Sequence, residues 1–150
     1  MSIKAFFKDV ARAEHRITVL TARLEHYKSM GLSVTTHLDA VGGSHARNGS
    51  SKVEEAVVGM TDMVESIQEE LARYREIVKE AEDLIAKVPQ ERYRMLLELH
   101  YLCGRSLRSI SDDLGYTDYN SIYQAHGWAL QTADRIAREE MNDGHTDGTG

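Results

Sequence analysis

The sequence predicts an all-α protein: a long N-terminal antiparallel helical hairpin of coiled-coil character, followed by a C-terminal trihelical unit with a helix-turn-helix layout. Three observations predict it. Apolar residues recur at alternating spacings of three and four through two long stretches, residues 3–27 and 53–88, which is the signature of helices packed along a seam. Between Pro89 and Leu130, three shorter segments also show helical periodicity. Gly104 and Gly115 separate these segments at points where a chain can reverse sharply.

The first seam is formed by Ile3, Phe6, Val10, Ala13, Ile17, Leu20, Leu24 and Tyr27, and Gly31 is expected to stop it. Residues 31–50, GLSVTTHLDAVGGSHARNGS, are rich in glycine and lack helical periodicity, so they read as a long loop. Ser51 with Glu54 has the spacing of a capping box and marks the start of a second helix. Its seam runs through Val53, Val57, Met60, Val64, Ile67, Leu71, Tyr74, Val78, Ala81, Ile85 and Val88. A helix of that length spans on the order of 50 Å and needs a partner to cover its apolar side. The first helix, folded back against it, is the nearest candidate; its positive balance complements the negative second helix. Because the second seam is longer, its end from Ala81 to Val88 is left for the C-terminal unit or for a second copy of the chain, and a homodimer is expected.

Pro89 can open the next helix, since a proline at the first helical position forgoes no hydrogen bond. Tyr93, Leu96, Leu97, Leu99 and Leu102 give that helix a wide apolar stripe. Ser106 caps the following one, with Leu107, Ile110 and Leu114 on one face, and Gly115 ends it. After the polar turn Tyr116 to Asn120, a third helix is expected from about Ser121, with Ile122, Ala125, Ala129, Leu130 and Ala133 inward. It can continue past Ile136, and the polar tail 141–150 is expected to be disordered. The expected divisions are therefore 1–88, 89–140 and the tail.

Leu107, Ile110, Leu114, Gly115, Ile122, His126, Ala129 and Leu130 resemble the region 4 type helix-turn-helix of bacterial sigma factors. More narrowly, LGYTDYNSIYQAHGWAL after LLELHYLCGRSLRSIS is similar to phage and prophage transcription regulators of the RinA and ArpU type. The resemblance implies a late-gene activator-like regulator in a bacterial cytoplasm, binding promoter DNA and working beside RNA polymerase. It departs in one respect: the turn before Ile122 is one residue longer than in ordinary sigma region 4 sequences, so their base contacts are not transferred here.

If the third helix lies in a major groove, Asn120, Ser121, Tyr123 and Gln124 are placed to meet base edges, and Gly127 would allow close approach. Asn and Gln each present a donor and an acceptor, the pattern that adenine requires. Arg105 and Arg108, with Arg92 or Arg94, are candidates to clamp phosphates. The plainer alternative is that Asn120 and Ser121 cap a helix and the arginines are solvated surface charges.

The charge balance qualifies this. A net charge of -6 argues against a general nucleic-acid-coating protein, which gains affinity by releasing phosphate counterions. Residues 1–30 carry six basic and three acidic side chains, 53–88 carry four basic and ten acidic, and 89–130 carry four arginines against five acids. The C-terminal unit is thus nearly neutral, which disfavours action as a monomer and leaves two alternatives open: a module that docks on RNA polymerase without touching DNA, and a small-terminase-like DNA-packaging subunit.

No enzyme motif is present. There is no Gly-rich phosphate loop after a strand, no nucleophile elbow and no HExxH. Adjacent acids such as Glu69 and Glu70 point about 100° apart on a helix and form no catalytic pair. His100 and the single cysteine, Cys103, stand one turn apart, but two ligands do not make a zinc site, and Cys103 is expected to serve packing. Neither cofactor nor metal is expected. Trp128 and His126 are expected to be core or interface residues. No apolar run is long enough to span a bilayer, and the charged start MSIKAFFKDVARAEHR does not read as a secretory signal, so a cytoplasmic location is expected.

Overall fold

The computed structural model describes residues 1–40 and 46–146, with side chains described over 1–31 and 52–144. Among the described residues every regular element is helical, and the protein is all-α. The elements are α1 (Ile3–Ala40), α2 (Ala46–Ala86), α3 (Glu91–Leu97), α4 (Leu107–Leu114) and α5 (Tyr119–Thr146), with a π-helical turn over Glu98–Leu102 continuing α3. No helix among the described residues is long and apolar enough to cross a membrane.

Several expected boundaries move. Gly31 does not stop α1, which runs on to Ala40, and α2 begins at Ala46, upstream of Ser51. Of the loop expected over 31–50, residues 41–45 lie outside the described residues. A glycine inside a helix costs only about 1 kcal/mol relative to alanine, too little to end a helix that has a neighbour to pack on. A Cβ built at Gly31 would meet the Met60 Cε at 3.7 Å, an ordinary van der Waals contact. The tail is helical as far as Thr146, and 147–150 lie outside the described residues. Pro89 precedes α3, whose N-cap is Gln90.

The chain divides into two compact units, one of Arg16–Tyr74 and one of Met1–His15 with Arg75–Gly150. In the first unit Leu20, Ile67 and Leu71 are buried together, with Ile17, Leu24, Tyr27 and Tyr74 against them. Arg16 meets Glu70 at 3.3 Å, early α1 against late α2, whereas Gly31 faces Met60. Within this unit the two helices therefore run antiparallel. The ion pair is part-exposed and adds little beside the apolar seam.

The second unit holds two cores. Phe7, Val10, Ala81, Leu84, Ile85, Val88, Leu97, Tyr101, Ala129, Leu130 and Ala133 form the larger. The seam from Ala81 to Val88 is thus occupied, by α3, α5 and the start of α1. The period of three and four selects Phe6, but Phe7 is the fully buried ring and Phe6 packs beside it at 5.3 Å. The smaller core joins Leu96, Ile110, Ile122 and Ala125, with Tyr93, Leu99, Leu107, Leu114 and Tyr116 around it.

Backbone ends are satisfied locally. Arg94 donates to the carbonyls of Val88 (2.6 Å) and Pro89 (3.1 Å) in the connection between α2 and α3. Ser106 Oγ accepts from the Ser109 amide, the expected cap of α4. Gly104 (φ 72°) and Gly115 (φ 74°) both adopt the left-handed conformation that terminates their helices, which a side chain would strain.

Ser111 is an exception to this satisfaction. Its side chain is buried in α4 and its Oγ has no hydrogen-bond partner among the described residues. A buried hydroxyl without a partner keeps its desolvation cost, and alanine is both nearly its size and the better helix former. Ser111→Ala is expected to stabilise the protein by about 1 kcal/mol, read as a higher urea midpoint at unchanged slope; a lower midpoint would show that the hydroxyl is used.

Candidate functional site

The site is built on α5, because its two halves are fixed on different supports. Ile122 and Ala125 hold the first half against α3 and α4, whereas Ala129, Leu130 and Ala133 hold the second against α1 and α2. With that side buried, the opposite side of the first half is presented outward. Asn120, Tyr123, Gln124 and Trp128 are exposed, and Ser121 and Gly127 are half-buried.

The helix starts two residues before the expected Ser121. Asp118 rather than Asn120 or Ser121 caps it: its Oδ1 accepts the Asn120 amide at 3.0 Å, and its carbonyl accepts the Ser121 amide at 3.1 Å. The Asn120 side chain is therefore not used as the cap. A carboxylate there also meets the positive end of the helix dipole, which offsets part of its charge.

The arginines divide. Arg105 is half-buried; its guanidinium donates to the carbonyl (3.2 Å) and Oγ (2.6 Å) of Ser109 and pairs with Asp113 at 2.5 Å. This group, expected to clamp a phosphate, is thus already tied to α4. Arg92 donates to the Leu114 carbonyl and lies 5.0 Å over the Tyr116 ring, and Arg94 is held by the carbonyls between α2 and α3. Arg108 alone of the four has neither an ion pair nor a hydrogen bond among the described residues; it is exposed, its guanidinium 4.8 Å over the Tyr119 ring. Tyr119 and Trp128 were missed as site residues. The available signal was spacing: Tyr119 precedes Tyr123 by four, and Trp128 follows Gln124 by four.

Behind this surface lies a polar cluster. The Tyr101 hydroxyl and His126 Nε2 share a hydrogen bond of 2.7 Å, and Tyr101 stacks on Phe7 with centroids 4.9 Å apart. His100 Nδ1 lies 2.7 Å from the Arg105 carbonyl, which can only accept, so the proton sits on Nδ1. The π turn supplies this pair: with one extra residue in the turn, neighbours are set closer in angle and both His100 and Tyr101 face inward. Burial pushes the Tyr101 hydroxyl up to about 12. His126 is pushed down to about 4, first by burial, then by His100 and Lys4. It is thus neutral at pH 7, and its position supports packing, as expected. Cys103, expected to pack, is exposed at the end of the π turn. No metal-binding group of three or more ligands occurs among the described residues.

Comparison with protein-family models, curated proteins and solved structures finds no match. The geometry of α5 and its supports carries the functional reading.

That geometry offers amide and phenol groups on one side of a helix and one exposed guanidinium at its start. The His126 shift has a measurable consequence. An unfolded imidazole takes up its proton near 6.5, whereas the folded one resists until about 4, so the unfolded chain binds more protons in between. The stability this represents is complete above about pH 6.5 and is lost as pH falls through 4. His126→Gln, which can still bond Tyr101, is expected to show a shallower fall in melting temperature over that range; equal slopes would place the titration elsewhere.

Proposed function

We propose that this protein is a phage or prophage transcription regulator of the late-gene activator type, reading promoter DNA with the outward face of α5. The observation that carries the reading is that Asn120, Tyr123 and Gln124 stand exposed near the start of a helix fixed on four others, the placement a major-groove reading helix requires. The resemblance of residues 107–130 to sigma region 4 sequences supports it independently. So does the neutralisation of nearby acids: Asp113 is paired with Arg105, Asp134 with Arg138, and Asp118 caps α5.

One uncommitted arginine beside the start of α5 is a weak phosphate anchor for a single chain. A homodimer presents two reading helices and two copies of Arg108, and the α1–α2 seam provides the long helices on which such pairing is built. The dimer is part of this proposal, and sedimentation at micromolar concentration showing monomer alone would remove it.

A second reading is favoured by the internal use of Arg92, Arg94 and Arg105: the same face docks on RNA polymerase without touching DNA. Exposed Tyr, Trp and Arg side chains are also what protein interfaces use as anchors. Salt dependence separates the two, since only phosphate contacts release counterions steeply.

Arg108→Glu combined with Gln124→Ala is expected to abolish binding to a duplex selected on the wild-type chain while leaving the helical content unchanged. The lost glutamine contact alone is worth about 1–3 kcal/mol. Unchanged gel-shift affinity in the double variant would remove the site assignment.

A further inference from the structure

The outward side of α5 has a charge pattern that the reading above does not use. From Tyr119 to Ala133 the chain contains no Asp, Glu, Lys or Arg, although 28% of its residues are charged. An exposed helix face ordinarily carries charges for solvation; this one carries Asn120, Tyr123, Gln124, Gly127, Trp128 and Gln131 instead. Cations stand at its two ends: Arg108 over Tyr119, and Arg135, which is exposed and has no ion pair among the described residues. Neutral base edges between two rows of phosphate have the complementary pattern.

Two residues in the middle of this strip are costly without an external contact. Trp128, the only tryptophan of the chain, is 53% exposed, whereas a tryptophan in a monomer is ordinarily well buried. Gly127 weakens the helix, and no atom lies within 4 Å of a Cβ built there, so nothing in the fold requires its smallness. Gly59 and Gly144 are equally open, but only Gly127 lies in the uncharged strip, beside the exposed indole. Asn120, Gln124 and Trp128 follow at four-residue intervals along one line, about 12 Å from first to last, close to the width of the major groove. An indole at the end of that line has one apolar target among base edges, the 5-methyl group of thymine.

Resting on the DNA reading proposed above, we infer that Trp128 is a specificity-determining contact that packs on a thymine methyl, with Gly127 giving the groove wall its closest approach to α5. The test uses the full chain and a short duplex selected on it from randomised oligonucleotides. The single tryptophan reports directly: its emission shifts on adding the selected duplex. Trp128→Ala binds about tenfold more weakly with an unchanged melting temperature, and Trp128→Phe keeps most of the affinity. Replacing one thymine at a time by deoxyuridine removes only the methyl; at one position this weakens the parent chain and leaves Trp128→Ala unaffected. Gly127→Ala raises the melting temperature and lowers affinity together. If the selected duplex binds but the emission stays fixed, or no thymine is sensitive to loss of its methyl, the inference is overturned and the DNA reading stands. If no duplex is enriched at all, both fall.

Discussion

Leu96 and Leu97 are consecutive, both fully buried, and belong to different cores. Neighbouring side chains on a helix point about 100° apart, so a short helix can sit between two apolar layers only by spending adjacent residues on each. Leu96 closes the core with Ile110, Ile122 and Ala125, and Leu97 the core with Phe7, Ile85 and Ala129. This double use of α3 fixes α5 at two levels along its length. It thereby decides which side of α5 is left for solvent. The candidate site is the remainder after both cores have taken their residues, which is why its side chains are polar or aromatic rather than aliphatic.

The same economy governs the charges. Three of the four arginines between residues 89 and 130 are drawn to backbone carbonyls or to Asp113: Arg92 completes the end of α4 at Leu114, Arg94 bonds the α2–α3 connection, and Arg105 is tied along α4. Such bonds stabilise the unit and at the same time remove cations from the surface. What recognition remains must come from neutral donors and acceptors and from aromatic contact, with long-range attraction contributing little. For the DNA reading proposed above that is an unusual balance, and it puts the weight on shape and on the proposed second copy.

Inside the larger core, Tyr101 and His126 show how a polar pair is tolerated at that depth. Each satisfies the other at 2.7 Å, and burial drives both away from their charged forms, the phenol upward and the imidazole downward. A neutral pair of this kind is directional in a way that aliphatic contact is not. It holds the rotation of α5 about its own axis two residues beyond Gln124, where a small roll would turn the outward face aside.

The sequence by itself determined the helical class, the cap at Ser106 and the turns at Gly104 and Gly115, because each depends on hydrogen bonds or periodicity within a few residues of chain. It also placed Asn120, Tyr123 and Gln124 on a side of the helix that proves exposed, since their phase follows from the buried Ile122 and Ala125. Only the tertiary structure decided that α1 passes through Gly31, that Phe7 rather than Phe6 is fully buried, that Arg105 is taken by Asp113, and that Trp128 faces solvent. Each of these is a choice between local options that differ by about 1 kcal/mol. Contacts from residues distant in the chain are large enough to reverse such a choice, and no local pattern records them.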